Sequence, residues 1–355
     1  MDAEFLVHAA SYTLTAALST TTSQEAALAA AVYRTSLHRH RNTHPGSRRF
    51  LLALNAARYG AVHLLEQLTH SLHTDAWRPR WATGGALSAA LHNGFIGSAG
   101  AVRAVACTVL DGRPVAITGS EDGEVRVWDL ASGEPHGQPL TGHFGTVYAV
   151  ACTVLNGRPV AVTSSEDGEV RVWDLASGEP HGQPLTGHAG PVTSLACTFL
   201  IGRPVAVTSS AFNGEVRVWD LTSGTPVGQP LTSHAGTVTT VACTVLNGRP
   251  VAVTSSADGE ARVWDLASGE PHGQPLTGHA GTVTTVTCTV LNGRDIAVTG
   301  SGDGTVRVWD LAWGACTVLD VGLGVSAVAV APDGALVLGC GVDVVVVEQG
   351  GERSG

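Results

Sequence analysis

One phrase recurs five times in this chain at an almost constant interval. It reads EVRVWDL around Trp128, Trp173 and Trp219, EARVWDL around Trp264, and TVRVWDL around Trp309. By subtraction of their numbers, these tryptophans are 45, 46, 45 and 45 residues apart. A repeat of this length is one supersecondary unit that cannot bury its own faces and must stack on its neighbours. That fixes the architecture of most of the chain before any single residue is considered.

Residues 143–187 illustrate the unit. Val147, Val150 and Cys152 belong to an apolar first strand, followed by Asn156-Gly157. Asn-Gly between two apolar runs selects a two-residue hairpin, because both positions tolerate positive φ. Pro159 opens the second strand, where its missing N–H does least harm, and Asp167-Gly168 makes the next turn. Val170, Val172 and Trp173 form a third strand, and the loop ASGEPHGQP leads to a short fourth near Leu185. Four strands in a period of about 45 residues, with a Trp-Asp pair, predict a β-propeller blade. The chain is expected to be all-β over this region. Gly is frequent, at 44 of 355 residues, as closely spaced turns require.

The polar residues around each Trp make the chain resemble the WD-repeat family, in which a His, a Ser or Thr, an Asp and the Trp of one blade form a hydrogen-bonded chain. By motif position the resemblance assigns His143, Thr163, Asp167 and Trp173 to one such tetrad. His234, Thr254, Asp258 and Trp264 form a second, and His279, Thr299, Asp303 and Trp309 a third. The third repeat offers His188, Thr208, Asn213 and Trp219, with one inserted residue around Phe212. The first offers Ser98, Thr118, Asp122 and Trp128. His-Thr-Asp could be mistaken for a catalytic triad. Its recurrence in every repeat, each time beside a Trp whose buried N–H needs an acceptor, marks it as structural.

After Trp309 the pattern decays, and residues 325–331, 335–340 and 342–348 read as three further strands. At the other end Phe95-Ile96-Gly97 sits where Leu140-Thr141-Gly142 sits one repeat later, which makes it the expected outer strand of the last blade. Sharing a blade in this way removes two open sheet edges. Six blades over residues 92–350 are expected, with a linker at 77–91 that begins WRPRWATGG. Residues 1–76 read as an α-helical segment. Thr22 and Glu25 fit a capping box. QEAALAAAVYRTSLHRH, SRRFLLALNAARYG and AVHLLEQLTHSLH are amphipathic, with Leu51, Leu54, Leu64, Leu65 and Leu68 among the core candidates. Helices and linker together resemble the segment that joins a signalling ATPase to a WD-repeat sensor in regulators of high-GC bacteria.

Composition narrows the function. The chain has no Lys, so a Walker-type phosphate loop and Schiff-base chemistry are excluded. Net charge is −10. Residues 1–90 carry eight Arg against five carboxylates, and the rest twelve against twenty-five. An acidic propeller is a poor nucleic-acid binder. The N-terminus has no basic leader region and no apolar run approaches membrane-spanning length, so a cytoplasmic protein is expected. Cys107, Cys152, Cys197, Cys243 and Cys288 share one repeat phase and read as small buried thiols in a reducing compartment. His38-Arg39-His40-Arg41, with Arg48 and Arg49, is the one basic cluster and reads as a solvated helix end or a docking face. His38, His40 and His44 lack the further ligands a metal would need, and His136, His181 and His272 sit on separate blades. No metal or cofactor is expected.

Residues 98–142 and 143–187 differ at only seven positions. Four are Ser98/His143, Ala99/Phe144, Ala101/Thr146 and Arg103/Tyr148, all at the entrance to the inner strand. Across the repeats the last of these reads Arg103, Tyr148, Thr193, Thr239 and Thr284. The residue before the turn Asp or Asn reads Glu121, Glu166, Phe212, Ala257 and Gly302. The ASGEPHGQP and NGRP loops hardly vary. The family resemblance places the two variable positions on the partner-binding face. It implies a noncatalytic scaffold or ligand sensor that binds another protein or a peptide, with a signalling ATPase domain as one partner class. Arg103, Glu121, Phe144, Tyr148, Glu166 and Phe212 are the expected contacts, since Arg and aromatic side chains dominate interfaces. The alternative is a hydrolase or lyase in the central channel, for which the inner strands offer mainly Val, Ala, Cys and Thr.

Overall fold

The computed structural model describes residues 6, 7, 29, 32–33, 45–59, 61–70, 77–82, 100–212, 214–232, 234–341 and 343–349. Two helices, α1 (Pro45–Arg58) and α2 (Val62–His70), precede six antiparallel sheets. Pro45 suits the first helical position, where its missing N–H is not needed. Leu52, Ala53 and Ala56 of α1 pack with Leu68 of α2 and with Leu6, Val7, Ala29, Val32 and Tyr33 in one apolar cluster. Leu51 and Leu54 are buried, and Leu64 and Leu65 lie partly buried against the cluster. The rest of the helix expected from Gln24 onward, with its capping box, lies outside the described residues. Among the described residues no helix is long and apolar enough to cross a membrane.

The first strand, β1 (Trp77–Ala82), belongs to the last sheet. The first repeat forms β2 (Val102–Leu110), β3 (Arg113–Ser120) and β4 (Val125–Asp129). The second forms β5 (Val147–Leu155), β6 (Arg158–Ser165) and β7 (Val170–Asp174). The third adds a fourth strand to β8 (Val192–Leu200), β9 (Arg203–Ser210) and β10 (Val216–Asp220), namely β11 (Thr225–Pro226). The fourth repeat has β12 (Val238–Leu246), β13 (Arg249–Ser256) and β14 (Ala261–Asp265). The fifth sheet runs β15 (Val283–Leu291), β16 (Arg294–Ser301), β17 (Thr305–Asp310) and β18 (Cys316–Asp320) in order. In the first, second and fourth repeats the outer position is held by bridges such as Val170↔Leu185 and Trp173↔Pro180. The hairpins between first and second strands turn on Asp111, Asn156, Ile201, Asn247 and Asn292, all at φ near 50°, each followed by a Gly near 75°. Gly and Asn reach that conformation at least cost.

The chain forms two compact units. One comprises residues 90–297 with 311–314, the other residues 1–89 with 298–310 and 315–355. In the first of these, inner strands β2, β5, β8, β12 and β15 neighbour one another in repeat order. Thr239 Oγ1 donates to Val283 O and Thr240 Oγ1 to Thr284 O at 3.0 Å, each pair 44 residues apart. Such a constant offset means parallel neighbours in equal register. All Asn-Gly-type hairpins of this unit therefore share one end, and the loops entering the inner strands share the other. Three signature Trp residues, Trp173, Trp219 and Trp264, each seal a seam with the preceding repeat. Trp173 packs with Leu110, Val115 and Ile117 of the preceding repeat, and Trp219 with Leu155, Val160 and Val162.

In the other unit, β19 (Val325–Val330), β20 (Leu336–Cys340) and β21 (Asp343–Gln349) are the three late strands expected from the sequence. Their outer neighbour is β1, antiparallel to β21, with Trp77 opposite Gln349 and Pro79 opposite Val347. This corrects the expectation that Phe95-Ile96-Gly97 fills that position. Those three residues lie outside the described part of the chain, and the segment read as a linker begins with the strand itself. The reason is visible in WRPRWA, which alternates apolar and basic residues with the period of a strand. Trp77 and Pro79 are buried. Helix α1 packs on β1, and Arg58 Nε lies 3.4 Å from Asp343 Oδ2 at the start of β21.

Candidate functional site

The polar chain in the second repeat can be followed proton by proton. Trp173 Nε1 can only donate, and Thr163 Oγ1 accepts it at 2.9 Å. The Thr163 hydroxyl proton is then free for His143 Nε2 at 2.8 Å, which leaves the proton of His143 on Nδ1. That N–H donates to Asp167 Oδ2 at 2.9 Å. Asp167 also accepts the backbone N–H groups of Phe144 at 3.0 Å and Glu169 at 2.9 Å, so it holds the loop that carries Phe144. The fourth repeat repeats the geometry with Trp264, Thr254, His234 and Asp258 at 2.9, 2.8 and 3.0 Å.

The other repeats keep the Trp-to-Thr bond. It spans 2.8 Å from Trp128 to Thr118, 2.8 Å from Trp219 to Thr208 and 2.9 Å from Trp309 to Thr299. Ser98 and Asn213 lie outside the described residues. In the first repeat Asp122 accepts Gly100 N at 3.0 Å, and in the fifth Asp303 accepts Thr305 N at 2.8 Å.

Burial pushes the imidazoles of His143 and His234 below the usual histidine value, although their Asp partners pull the other way. The sequence puts Asn213, not Asp, in the third repeat, and burial drives His188 down to about 4. Burial alone would raise Asp167 and Asp258, but their hydrogen bonds from backbone N–H and His hold both below the ordinary range.

A family model for the WD domain, G-beta repeat, matches residues 91–129, 134–174, 179–220, 224–265 and 270–310, together more than half of the chain. The chain belongs to the WD-repeat family. No curated protein matches it.

In this WD-repeat chain the inner-strand position that changes from Arg to Tyr to Thr coincides with a break in the ladder. Pairing jumps from Val102 to Ala104, from Val147 to Ala149, from Val192 to Ser194 and from Val238 to Thr240. The residues passed over are Arg103, Tyr148, Thr193 and Thr239. The sixth sheet does the same at Ser326. A β-bulge leaves its extra residue unpaired and re-aims its side chain. The change from Arg to Tyr to Thr thus falls where the ladder makes no demand.

Each bulge adjoins the second variable position. The N–H groups of Glu121, Glu166, Ala211 and Ala257 donate to the carbonyls of Ala101, Thr146, Pro191 and Thr237, just before the inner strands. By this register Ala211 is the counterpart of Glu166, and Phe212 is the inserted residue rather than its equivalent. Arg103 Nε donates to Glu121 Oε1 at 2.8 Å. Phe144 is 91% exposed, Tyr148 half-buried, and Glu166 exposed, with its carboxylate 3.4 Å from Thr146 N. Phe212 is 59% exposed, and its ring lies over Gly190. Of the six expected contacts, the structure joins Arg103 to Glu121 and ties the others to the loops of the second and third repeats.

Sequence reading missed several features. A glycine two residues beyond each tetrad His or its counterpart lets the two loops close. A Cβ at Gly145 would stand 3.0 Å from Glu166 Cβ, and one at Gly236 3.0 Å from Asp258 N. The signal is plain in hindsight as the fixed Gly of HFG, HAG and SAG. Thr239 bonds Ser255 Oγ at 2.9 Å within its own repeat and Val283 O in the next. Ser194 Oγ accepts Val241 N at 3.0 Å across the seam between repeats three and four.

Two composition-based expectations need correction. The cysteines are not uniformly buried. Cys107 and Cys316 are exposed, Cys340 is buried, and the other four are half-buried. Cys152, Cys197 and Cys243 pack against the apolar cluster of the preceding repeat. Burial pushes the Cys152, Cys197 and Cys288 thiols up to about 12, which makes them inert. Nor are Arg48 and Arg49 solvated. Arg49 is buried, and Arg48 Nη1 donates to Val7 O at 2.9 Å. His38–Arg41 and His44 lie outside the described residues. His136 borders a cavity of about 370 Å³ with Leu140, Trp173 and Glu179.

Proposed function

We propose that this chain is a noncatalytic protein-interaction scaffold or sensor module that binds another protein or a peptide. The binding surface is the bulge end of repeats one to three, with Arg103, Glu121, Phe144, Tyr148, Glu166 and Phe212 as contacts. The observation that carries this reading is the coincidence of sequence variation with the β-bulge. The residue freed from pairing changes from Arg103 to Tyr148 to Thr193 and Thr239, while the paired residue after it varies only among the small side chains of Ala104, Ala149, Ser194 and Thr240. Large and charged choices fall in repeats one to three, and the fourth offers Thr239 and Ala257. Arg103, braced by Glu121, and two exposed aromatic rings provide the anchors that dominate interfaces. The His-Thr-Asp sets support a structural role instead of catalysis, because Thr163 is fully buried and its hydroxyl is engaged on both sides. A reducing cytoplasm fits seven free thiols. A signalling ATPase domain remains one partner class, on the strength of the helical segment alone.

The test is affinity purification with the wild type and an Arg103→Ala, Tyr148→Ala variant, followed by titration of the protein recovered. The variant should bind about 30-fold more weakly, or about 2 kcal/mol. Arg113→Ala with Arg158→Ala, at the hairpin end, is the matched control. Equal losses from both pairs would move the site.

A further inference from the structure

The second repeat departs from its siblings at two positions close to one carboxylate. Where the other repeats have Ala99, Ala189, Ala235 and Ala280, it has Phe144. At the bulge, where they have Arg103, Thr193, Thr239 and Thr284, it has Tyr148. The carboxylate is Glu166. Its N–H donates to Thr146 O at 2.9 Å, and a Cβ at Gly145 would stand 3.0 Å from Glu166 Cβ, so the segment that begins with Phe144 lies against it. Val147 pairs with Ser165, which brings the bulge at Tyr148 to the same place.

The first repeat shows what this carboxylate position takes. Glu121 is the counterpart of Glu166, and Arg103 meets it through Nε at 2.8 Å and through Nη2 on the same oxygen. In the second repeat the Arg has become Tyr148 while the Glu stays. The two arginines of that repeat are engaged elsewhere, Arg158 with Asp174 at 3.2 Å and Arg171 with Glu169 at 2.7 Å. Glu166 is exposed, and its carboxylate has only a long contact, 3.4 Å, with Thr146 N. The third, fourth and fifth repeats have Ala211, Ala257 and Gly302 here, with no carboxylate to satisfy. The second repeat is thus the one that keeps the Glu, lacks the Arg, and adds two aromatic rings.

We propose that this place holds an arginine side chain of the partner, paired with Glu166 and stacked on Phe144 and Tyr148. The proposal rests on the bulge end being the interaction surface and names the chemistry that surface reads. A guanidinium donates to a carboxylate from its edge and stacks on an aromatic ring with its face, so one group satisfies all three residues. A neutral side chain would cover the rings but strip water from Glu166 with no charge to replace it. Lysine would pair as a point charge and forgo the flat stacking. An anion is repelled, since the chain beyond residue 90 carries twelve Arg against twenty-five carboxylates. Phe144, 91% exposed, is covered when the arginine lies on it.

Fluorine NMR of the full chain labelled with fluorophenylalanine tests this. The chain has six Phe, and loss of a resonance in Phe144→Ala identifies that of Phe144. N-acetyl-arginine amide should shift this resonance with a dissociation constant of about 1–10 mM, the strength of one stacked ion pair. The citrulline analogue, of the same shape without the charge, should bind at least about tenfold more weakly, and the lysine analogue about threefold. Glu166→Gln should weaken the arginine probe by at least about tenfold. Tyr148→Arg installs the residue of the first repeat and supplies the guanidinium from within, so it should keep its Tm and lose the shift. No saturable shift, equal binding of citrulline or lysine, or full binding in Glu166→Gln or Tyr148→Arg would overturn the proposal. If the probe fails while Arg103→Ala with Tyr148→Ala still weakens the partner, the surface stands and the arginine site falls. If the probe binds while that variant leaves the partner unaffected, the arginine site stands and the recovered partner docks elsewhere.

Discussion

The ring of Phe212 lies so close over the α-carbon of Gly190 that a β-carbon built at Gly190 would fall inside van der Waals contact with the ring. In the first repeat the equivalent Gly100 faces backbone instead, with a built Cβ 2.7 Å from Asp122 N. A half-exposed ring can swing aside, whereas a turn cannot. Gly190→Ala should therefore cost under about 1 kcal/mol and displace Phe212, while Gly100→Ala should cost about 1–3 kcal/mol. Paired thermal melts decide between them, and a larger loss at Gly190 would contradict this account.

Thr163 holds the middle of its tetrad. Thr163→Val keeps the shape but strands both the Trp173 N–H and His143 Nε2. Each buried unpaired group costs about 1–3 kcal/mol, so the two together should cost roughly 2–6 kcal/mol. Urea unfolding with an unchanged slope would report it. A loss below about 0.5 kcal/mol would show that the tetrad contributes little.

Acid should destabilise the fold through His188. Its folded value of about 4 lies below the ordinary 6.5. As pH falls, the unfolded chain takes the proton first, so this stability is complete above 6.5 and is lost between 6.5 and 4. Asp167 and Asp258, also lowered, act in the same sense below the usual carboxylate range. NMR titration should find His188 near 4 and His143 below 6.5. A His188 value at or above 6.5 would refute the assignment.

Deleting residues 1–82 removes β1 and exposes the edge of β21, an invitation to aggregation. Deleting 1–76 keeps the strand but removes α1, which packs on it, and leaves Asp343 without Arg58. Light scattering should show the longer deletion as the more aggregated and both as worse than the full chain. A monodisperse 1–82 deletion would show that β1 is dispensable.

Much of the fold was legible because its signals are local. Asn156-Gly157 fixes a hairpin by the φ its two residues prefer, and the spacing of Trp128, Trp173, Trp219 and Trp264 counts repeats. Val325, Leu336 and Asp343 open late strands whose apolar runs are unmistakable. The strand Trp77–Ala82 was less legible, because a six-residue alternation soon followed by Gly84-Gly85 reads equally well as a linker until its partner is known. The bond of Thr239 to Val283 was not legible because it joins residues 44 positions apart.

By itself the sequence determined the repeating unit, the six sheets, and the polar partners of the second and fourth repeats, all set by propensities and spacings inside some 45 residues. Tertiary structure alone decided which segment completes the last sheet and that Arg103 and Tyr148 stand at bulges. It alone decided that Phe212 rests on Gly190. Those outcomes depend on register and on contacts between distant segments, and pairing energy between strands is not written in either strand alone.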